Sequence, residues 1–166
     1  MKIIIRNITK KDIRIAHKIY NYYIFNSFVN FEEKPISLFR FKNMVNKILL
    51  TKLPFIVSEL NGQVVGLAYL TKYRNKSGYK FSYENSIYID NNYVGKGIGQ
   101  KLLKNLLKIS KKNNKIKNIV AIIGDSKNYS SIKIHKKSGF NHVGILKKIG
   151  FKKNKWIDSL IMLKKI

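Results

Sequence analysis

Residues 81–107 read FSYENSIYIDNNYVGKGIGQKLLKNLL, and this stretch combines three local signals. Apolar and polar residues alternate from Phe81 to Glu84, and the apolar run Ile87-Tyr88-Ile89 follows, so the residues from Phe81 to Asp90 are typical of a β-strand. A glycine-rich turn follows at Gly95–Gly99. Beyond the turn, four leucines recur at helical spacing: Leu102, Leu103, Leu106 and Leu107. The stretch therefore predicts a strand, a tight turn and an amphipathic helix in succession.

The glycine turn itself is a candidate binding site for phosphate. Glycines allow the backbone to approach a ligand closely, and the free N–H groups at the start of a helix favour phosphate oxygens. The dinucleotide-binding pattern would require glycine at Gln100, and the P-loop pattern would require Ser or Thr at Gly97, so neither motif is present. The turn alone is equally compatible with an ordinary flexible connection between a strand and a helix.

The rest of the chain supplies further strands and helices on both sides of this unit. Asn61-Gly62 between two apolar runs is typical of a β-hairpin turn, and Ser138-Gly139 is typical of a helix end. The remaining elements are a strand at 2–6, helices at 13–23 and 37–50, hairpin strands at 55–60 and 63–71, a strand at 116–124, a helix at 129–137, and strands at 143–147 and 156–164. The order β-α-α-β-β-β-α-β-α-β-β predicts a mixed α/β domain.

Composition narrows the class of protein. The length of 166 residues fits one domain with a sizeable core, and we expect a single domain over residues 1–166. The chain has no cysteine, which excludes disulfides and thiolate metal sites, and we predict no metal site. No apolar stretch reaches the roughly 18 residues that a membrane span needs, and residues 1–9 lack the apolar core of a signal peptide. We therefore expect a cytoplasmic protein that does not enter a membrane.

The formal net charge of +26 has two interpretations. Clustered Lys and Arg bind nucleic acid by releasing counterions from phosphates, which would suit a basic RNA- or ribosome-associated protein without enzymatic activity. The lysines are instead spread along the whole chain in Ile- and Asn-rich surroundings, as a biased, AT-rich genome would encode them on any solvated surface. Under that second interpretation, binding to nucleic acid is limited to non-specific charge attraction.

Several short motifs, taken together at this spacing, resemble the GNAT superfamily of acetyltransferases, and within it the phosphinothricin and methionine sulfoximine acetyltransferases. The resemblance extends over nearly the full length. Its most specific part is the Glu-x-Ser-x-Tyr-Ile strand joined to the glycine turn. The motifs are Ile19-Tyr20-Asn21, Phe31-Glu32, Val65-Gly66-Leu67-Ala68-Tyr69, Tyr83–Ile89, Gly95–Gly99, Ser131–His135, Ser138-Gly139-Phe140 and Lys155-Trp156-Ile157-Asp158.

The resemblance implies a single GNAT-like domain, with a central mixed and mostly antiparallel sheet flanked by about four helices. It also implies acetyl-CoA as the cofactor. The backbone of Ile87, Tyr88 and Ile89 would bind the pantetheine arm as an added strand. The pyrophosphate would lie at Gly95, Lys96, Gly97, Ile98, Gly99 and Gln100, and Asn128 and Lys137 match further cofactor contacts. Val94 departs from the family, which usually has Gln or Arg there, so one polar contact near the pyrophosphate is in doubt.

Glu84 matches the catalytic base of these enzymes. An amine attacks a thioester only as the free base, and an alkyl ammonium has a pKa of about 10.4, so a proton must be removed. The chain has only eight carboxylates, and Glu84 lies on the strand immediately before the cofactor-binding backbone. Partial burial there would raise its pKa and make it a better base. The alternative is a strand carboxylate that pairs with one of the many lysines.

His135 occupies the position where many GNAT enzymes have a tyrosine that protonates the departing thiolate. The helical phase of His135 equally allows a histidine that packs against the sheet, and the sequence does not separate the two roles. Acceptor recognition is implied by resemblance for three segments. They comprise Phe28, Phe31 and Glu32 in the first long loop, Ser77, Gly78 and Tyr79 before the fourth strand, and Asn85 and Ser86 beside Glu84.

These observations favour an N-acetyltransferase that acts on the amino group of a small amino-acid-like acceptor of the phosphinothricin or methionine sulfoximine type. Ile157 stands where such enzymes tend to have His, which leaves the acceptor open. The alternatives are the same fold acting on a protein N-terminus, a polyamine or a ribosomal protein, and the non-enzymatic RNA-binding protein described above. Related enzymes are often homodimers, and by analogy we expect a homodimer.

Overall fold

All seven strands belong to one sheet, as a computed structural model that describes residues 2–166 shows. The strands are β1 (Ile3–Asn7), β2 (Phe55–Leu60), β3 (Gln63–Lys72), β4 (Ser82–Ile89), β5 (Asn118–Gly124), β6 (Asn141–Lys152) and β7 (Lys155–Lys165). The helices are α1 (Ile13–Asn26), α2 (Leu38–Leu50), α3 (Ile98–Ser110) and α4 (Tyr129–Lys137). The observed order of strands and helices confirms the predicted order. Residue 1, with which the predicted domain begins, lies outside the described residues.

The sheet has the order β1-β2-β3-β4-β5-β7-β6, and every neighbouring pair is antiparallel except β4 and β5. The predicted mixed and mostly antiparallel sheet with four helices is therefore confirmed. Among residues 2–166, no helix is long and apolar enough to cross a membrane.

Local sequence determines the ends of several elements, and the Asn61-Gly62 turn and the Gly139 helix end are confirmed as predicted. Asn61 and Gly62 both have positive φ, at 50° and 78°, which is the conformation of the type I′ turn that Asn-Gly favours. Gly139, at φ 80°, ends α4 in the left-handed conformation. Before α1, the carboxylate of Asp12 accepts hydrogen bonds from the Thr9 backbone N–H at 2.7 Å and the Thr9 hydroxyl at 2.8 Å.

The predicted β6 is shorter than the observed strand. The strand runs over residues 141–152 instead of 143–147, and its register against β7 shifts at two bulges, His142/Gly144 and Leu146/Gly150. Lys148 lies in the second bulge with φ 52°. The apolar and polar residues of β6 do not alternate in a regular way because β6 is an edge strand with most of its side chains exposed.

The helices cover opposite faces of the sheet. The Tyr20 ring of α1 lies 5.3 Å from the Tyr88 ring, measured between centroids, so α1 covers the face to which Tyr88 points. Gly99 at the start of α3 lies beside Ile89, the next residue of β4, whose side chain points the other way. The side chains of Tyr88 and Ile89, which are adjacent in β4, thus point to opposite faces of the sheet.

Candidate functional site

Strands β4 and β5 are paired over only three residues and then separate. The parallel pairs are Ser82–Asn118, Tyr83–Ile119 and Glu84–Val120, whereas β4 continues to Ile89 and β5 to Gly124. A cleft of about 1520 Å³ lies at this opening, and residues from both faces of the sheet line it. Glu84 stands where the two strands part.

Most of the predicted site residues line this one cleft. They are Phe31, Glu32, Glu84, Asn85, Ser86, Ile87, Tyr88, Ile89, Gly95, Gly97, Ile98, Gly99, Gln100, Asn128, His135 and Lys137. Other predicted residues lie elsewhere. Phe28 and Ser77–Tyr79 do not line the cleft, the latter because they form an exposed turn in which Tyr79 packs on Tyr73. Lys96 also points away, with Nζ 4.7 Å above the centre of the Tyr93 ring.

The open edge of β4 presents unpaired peptide groups. Hydrogen bonds at both ends of the β3–β4 ladder show which residues of β4 bond to β3. Tyr73 N–H donates to Ser82 O at 3.2 Å, and Asp90 N–H donates to Val65 O at 2.9 Å. Even-numbered residues of β4 therefore bond to β3, and odd-numbered residues direct N–H and C=O toward the other edge. Beyond Glu84, that edge faces the cleft and not β5.

This alternation limits which of the three predicted residues, Ile87, Tyr88 and Ile89, could bind the pantetheine arm through their backbone. Ile87 and Ile89 direct their peptide groups into the cleft, although the carbonyl of Ile89 already accepts the Tyr23 hydroxyl at 2.7 Å. Tyr88 is different, because the alternation commits its backbone N–H and C=O to Leu67 of β3. Tyr88 faces the cleft with its side chain, so the backbone role predicted for it does not fit the observed pairing.

The glycine turn has the geometry of an anion-binding loop. Gly95 and Gly97 have φ of 83° and 75°, a region that residues with a side chain rarely adopt, and Gly97 caps α3. The first N–H groups of α3 consequently open toward the cleft, where the helix dipole favours negative charge. Two lysines that sequence reasoning missed, Lys104 and Lys133, also line the cleft; they lie on α3 and α4 among many lysines of similar appearance.

Asn128 and Gln100 each make a hydrogen bond within the protein. The Asn128 side-chain oxygen caps α4 by accepting the Ser131 backbone N–H at 3.2 Å. The Gln100 amide donates to the Ser138 hydroxyl at 2.7 Å, which ties the start of α3 to the end of α4. Both residues line the cleft; Gln100 connects the two helices that flank it, and Asn128 caps one of them.

The Glu84 carboxyl group is half-buried in the cleft. Desolvation raises the pKa of Glu84 to about 7, because burial disfavours the charged form. The alternative that Glu84 pairs with a lysine is wrong, since none of the ion pairs among residues 2–166 includes it. A carboxyl group with a pKa near 7 holds and releases a proton in the neutral range, which is what a general base requires.

Tyrosines form the wall of the cleft on the side of α1. The Tyr20 ring lies 5.3 Å and the Tyr23 ring 5.4 Å from the Tyr88 ring, and Tyr69 of β3 also lines the cleft. Burial raises the pKa of Tyr20, Tyr23 and Tyr69, so these hydroxyls stay protonated at neutral pH. The helical spacing of the aromatic residues predicts core positions, and it gives no sign that several of them face a cavity.

His135 uses both ring nitrogens inside the protein. Nδ1 donates to the Ser131 carbonyl at 2.8 Å, so Nε2 is the unprotonated nitrogen and accepts the Asn85 amide N–H at 2.9 Å. The side chain is only 3% exposed, its ring packs edge-on against Phe140, and desolvation lowers its pKa. In this state Nε2 carries no proton to donate to a thiolate. Of the two roles left open by the sequence, the geometry favours packing.

We therefore expect His135→Ala to affect stability more than chemistry. The substitution leaves a cavity and an unpaired Asn85 amide, and it should lower the free energy of unfolding by about 2–4 kcal/mol. It should reduce kcat less than about tenfold in protein that remains folded. Thermal unfolding and steady-state kinetics below the unfolding transition measure the two effects. A larger loss of kcat at unchanged affinity for the cofactor would restore the catalytic role.

Comparison with known proteins now identifies the family. The model of the acetyltransferase (GNAT) domain matches residues 5–161. The chain belongs to the GNAT acetyltransferase family. The phosphinothricin N-acetyltransferase of Alcaligenes faecalis is 34% identical over 158 residues, which are 95% of this chain and 80% of that protein. This GNAT protein therefore falls in the phosphinothricin and methionine sulfoximine acetyltransferase branch, as the sequence motifs predicted.

Two solved GNAT structures are similar to this one over nearly its full length. The phosphinothricin acetyltransferase of Sinorhizobium meliloti, in complex with acetyl-CoA, is 30% identical, has a TM-score of 0.93, and is matched over 100% of this chain and 89% of its own. The ribosomal-protein-alanine N-acetyltransferase of Brucella melitensis is 32% identical with a TM-score of 0.95, over 98% and 99%. This GNAT protein is an acetyl-CoA-dependent N-acetyltransferase, and the non-enzymatic alternative is wrong.

Proposed function

We propose that this enzyme transfers an acetyl group to the amino group of a small amino-acid-like acceptor of the phosphinothricin or methionine sulfoximine type, with Glu84 as the base. The observation that supports the proposal best is the position of Glu84. Its desolvated carboxyl group lies in the cleft, where β4 and β5 separate. A base at this point reaches a ligand held in either part of the cleft.

The cofactor would occupy the part of the cleft next to α3 and α4. Residues suited to hold it are Ile87 and Ile89 through their peptide groups, the glycine turn through N–H groups, and Gln100, Asn128 and Lys137 at the helices. Acetyl-CoA supplies the thioester carbonyl that the amine attacks. The lysines on α3 and α4 would add attraction for its phosphates, so binding should weaken as salt is raised.

Glu84 would take the proton from the acceptor ammonium, directly or through a water molecule. Below a pH of about 7 the Glu84 carboxyl group is mostly protonated and cannot act as a base. As the pH rises through 7, the carboxylate forms and the rate should rise with it. Burial makes Glu84 a stronger base than an exposed glutamate, because its carboxylate is less well solvated and therefore binds a proton more tightly.

The acceptor would bind on the side of α1, against Phe31, Glu32, Ser86 and the tyrosine wall formed by Tyr20, Tyr23, Tyr69 and Tyr88. The relatives named above support a small amino acid, since phosphinothricin N-acetyltransferases recur among them. The Brucella melitensis enzyme, named for ribosomal-protein alanine, supports the alternative of a protein N-terminus. We favour the small acceptor.

A panel of acceptors tests the proposal. Release of free thiol from acetyl-CoA is followed with phosphinothricin, methionine sulfoximine, a peptide with N-terminal alanine, and spermidine at equal concentrations. We expect the two amino-acid analogues to give the highest kcat/KM. A peptide or spermidine preferred over both analogues by tenfold or more would overturn the assignment of the acceptor, while leaving the acetyltransferase activity in place.

We further propose that the enzyme acts in the cytoplasm as a homodimer of single-domain chains. The cysteine-free composition supports the compartment. The edge strand β6 and the start of β7 support the dimer, because this hairpin exposes several large apolar side chains on a chain with a net charge of +26. The exposed residues are Val143, Ile145, Leu146, Ile149, Phe151 and Trp156. A patch of this kind is typical of a protein interface.

A single charge in this patch should separate the subunits. We expect Ile149→Lys to convert a dimer of about twice 19.4 kDa into monomers, because a buried unpaired lysine is costly in an apolar interface. Sedimentation velocity measures the mass. Leu50→Lys, which places the same charge on the exposed end of α2, serves as the control and should stay dimeric. A wild-type monomer at micromolar concentration would contradict the proposed dimer.

A further inference from the structure

Lys152, at the end of β6, is buried although it is a lysine in a chain with many exposed ones. Only 1% of its surface is accessible, and Nζ donates to the backbone carbonyl of Asn30 at 2.6 Å. The two residues are 122 positions apart in the chain. Desolvation lowers the pKa of Lys152, so its burial is costly and needs a compensating contact. The hydrogen bond to Asn30 is that contact.

The carbonyl of Asn30 belongs to the loop between α1 and α2, and the β6–β7 hairpin packs directly on this loop. A Cβ added at Gly150 would overlap the Phe31 ring, so the hairpin backbone and the ring are in close contact. On the other side, Gly124 at the end of β5 lies against the backbone of Phe28 and Val29. The loop thus packs against both β5 and the hairpin. Lys152 adds a hydrogen bond from the hairpin to the loop, at the Asn30 carbonyl.

The same loop connects the hairpin to the tyrosine wall. The Asn30 side-chain amide donates to the Tyr88 hydroxyl at 3.1 Å, and its oxygen accepts the Glu32 backbone N–H at 2.9 Å. Asn30 is itself buried, and Phe31 and Glu32 line the cleft beside it. Through Asn30, Lys152 sets the position of three residues on the side of the cleft that we assign to the acceptor.

We propose that Lys152 is a positioning residue for the acceptor: it holds the loop of residues 28–32 against the cleft and thereby determines the affinity for the acceptor, but not for acetyl-CoA. The proposal rests on the proposed function for the identity of the two compartments. Lys152 does not line the cleft, and its ammonium group donates to the Asn30 carbonyl. Its influence on the cleft is therefore exerted through Asn30, on the side where Phe31, Glu32 and the Tyr88 side chain lie.

The experiment compares Lys152→Met with Lys155→Met. Methionine fills a similar volume without a donor, and Lys155 is the exposed cross-strand neighbour of Lys152, so the control makes the same chemical change in solvent. With phosphinothricin as the probe, we expect Lys152→Met to raise the acceptor KM about tenfold, with kcat and the Kd for acetyl-CoA within about twofold of wild type. Lys155→Met should leave all three unchanged.

Gly150→Ala provides a second variant that keeps Lys152 but displaces the Phe31 ring, and it should raise the acceptor KM in the same way. Hydrogen exchange of the Glu32 amide gives a readout that needs no acceptor. In Lys152→Met this amide should exchange at least tenfold faster, while amides of β3 stay protected. If the wild type acetylates none of the panel, the proposed function fails. If the Glu32 amide exchanges at the same rate in Lys152→Met as in wild type, the role of Lys152 is overturned, whatever the acceptor is. An equal change in acceptor KM and acetyl-CoA Kd also overturns it.

Discussion

Glu84→Gln should lower kcat/KM by about 10²–10⁴-fold at pH 7.5, because the amide occupies the same space but cannot accept the proton of the acceptor ammonium. Affinity for acetyl-CoA should stay within about threefold, since Glu84 lies at the junction of β4 and β5 and away from the glycine turn. Thiol release gives the rate, and calorimetric titration gives the affinity. The matched control is Glu33→Gln, which makes the same change at an exposed position in the α1–α2 loop.

The pH profile separates a base from a residue that only shapes the cleft. The pKa of Glu84 is about 7, so wild-type kcat/KM should rise as the pH increases through 7 and then level off. In Glu84→Gln this rise should disappear along with most of the rate. A variant that keeps the wild-type profile at reduced amplitude would show that another group titrates, and Glu84 would not be the base.

The Glu84→Gln substitution should raise the free energy of unfolding at high pH, although it lowers the activity. A carboxyl group whose pKa is about 4.3 in the unfolded chain and about 7 when folded binds its proton more tightly in the folded state. Its contribution to stability is therefore present at low pH and is lost as the pH rises from about 4 through 7. Glu84→Gln stays neutral, so it should be more stable than wild type at pH 8 by about 1–3 kcal/mol and equal to it near pH 4. Denaturant unfolding at both pH values measures this difference.

The second large effect concerns the glycine turn. Gly97→Val should weaken acetyl-CoA binding by roughly 5- to 150-fold. A β-branched residue at φ 75° costs about 1–3 kcal/mol. The turn should therefore relax away from the conformation that directs its N–H groups into the cleft. No atom lies within 4 Å of an added Cβ, so the loss would come from backbone conformation and not from a clash. Calorimetric titration with acetyl-CoA measures the change.

Gly144→Val is the matched control for this substitution. A Cβ added at Gly144 would meet the same open space, but Gly144 lies in β6 without a positive φ, where valine is well accommodated. The control should bind acetyl-CoA as wild type does and unfold at a similar temperature. If Gly97→Val also binds within twofold of wild type, the left-handed turn is not required for the cofactor.

Local patterns explain why much of the site was predictable. The apolar residues of β4, the two glycines with positive φ and the spaced leucines of α3 lie within 27 consecutive residues, so local sequence is enough to predict these elements. The Asn61-Gly62 hairpin is predictable for the same reason. Glu84 could be selected because the chain has so few carboxylates.

Long-range contacts account for what the sequence did not reveal. The separation of β4 from β5 after Glu84 depends on pairing between residues that are 36 positions apart, and the sequence of neither strand indicates where the pairing stops. Lys152 resembles any other lysine until the hairpin is placed on Asn30. His135 was ambiguous because the partner of its Nε2 atom is Asn85, which lies 50 residues away.

The early separation of β4 and β5 also has an evolutionary consequence. The compartment proposed for the cofactor is built from the glycine turn, α3 and α4, whereas the compartment proposed for the acceptor is built from α1, the following loop and the terminal hairpin. The two sets share β4, on which adjacent residues serve opposite sides. Substitutions in the loop and hairpin would therefore change the acceptor side of the cleft while leaving the glycine turn, α3 and α4 intact. Divergence of substrate choice is easy in this architecture, while a change of donor would require rebuilding the shared strand.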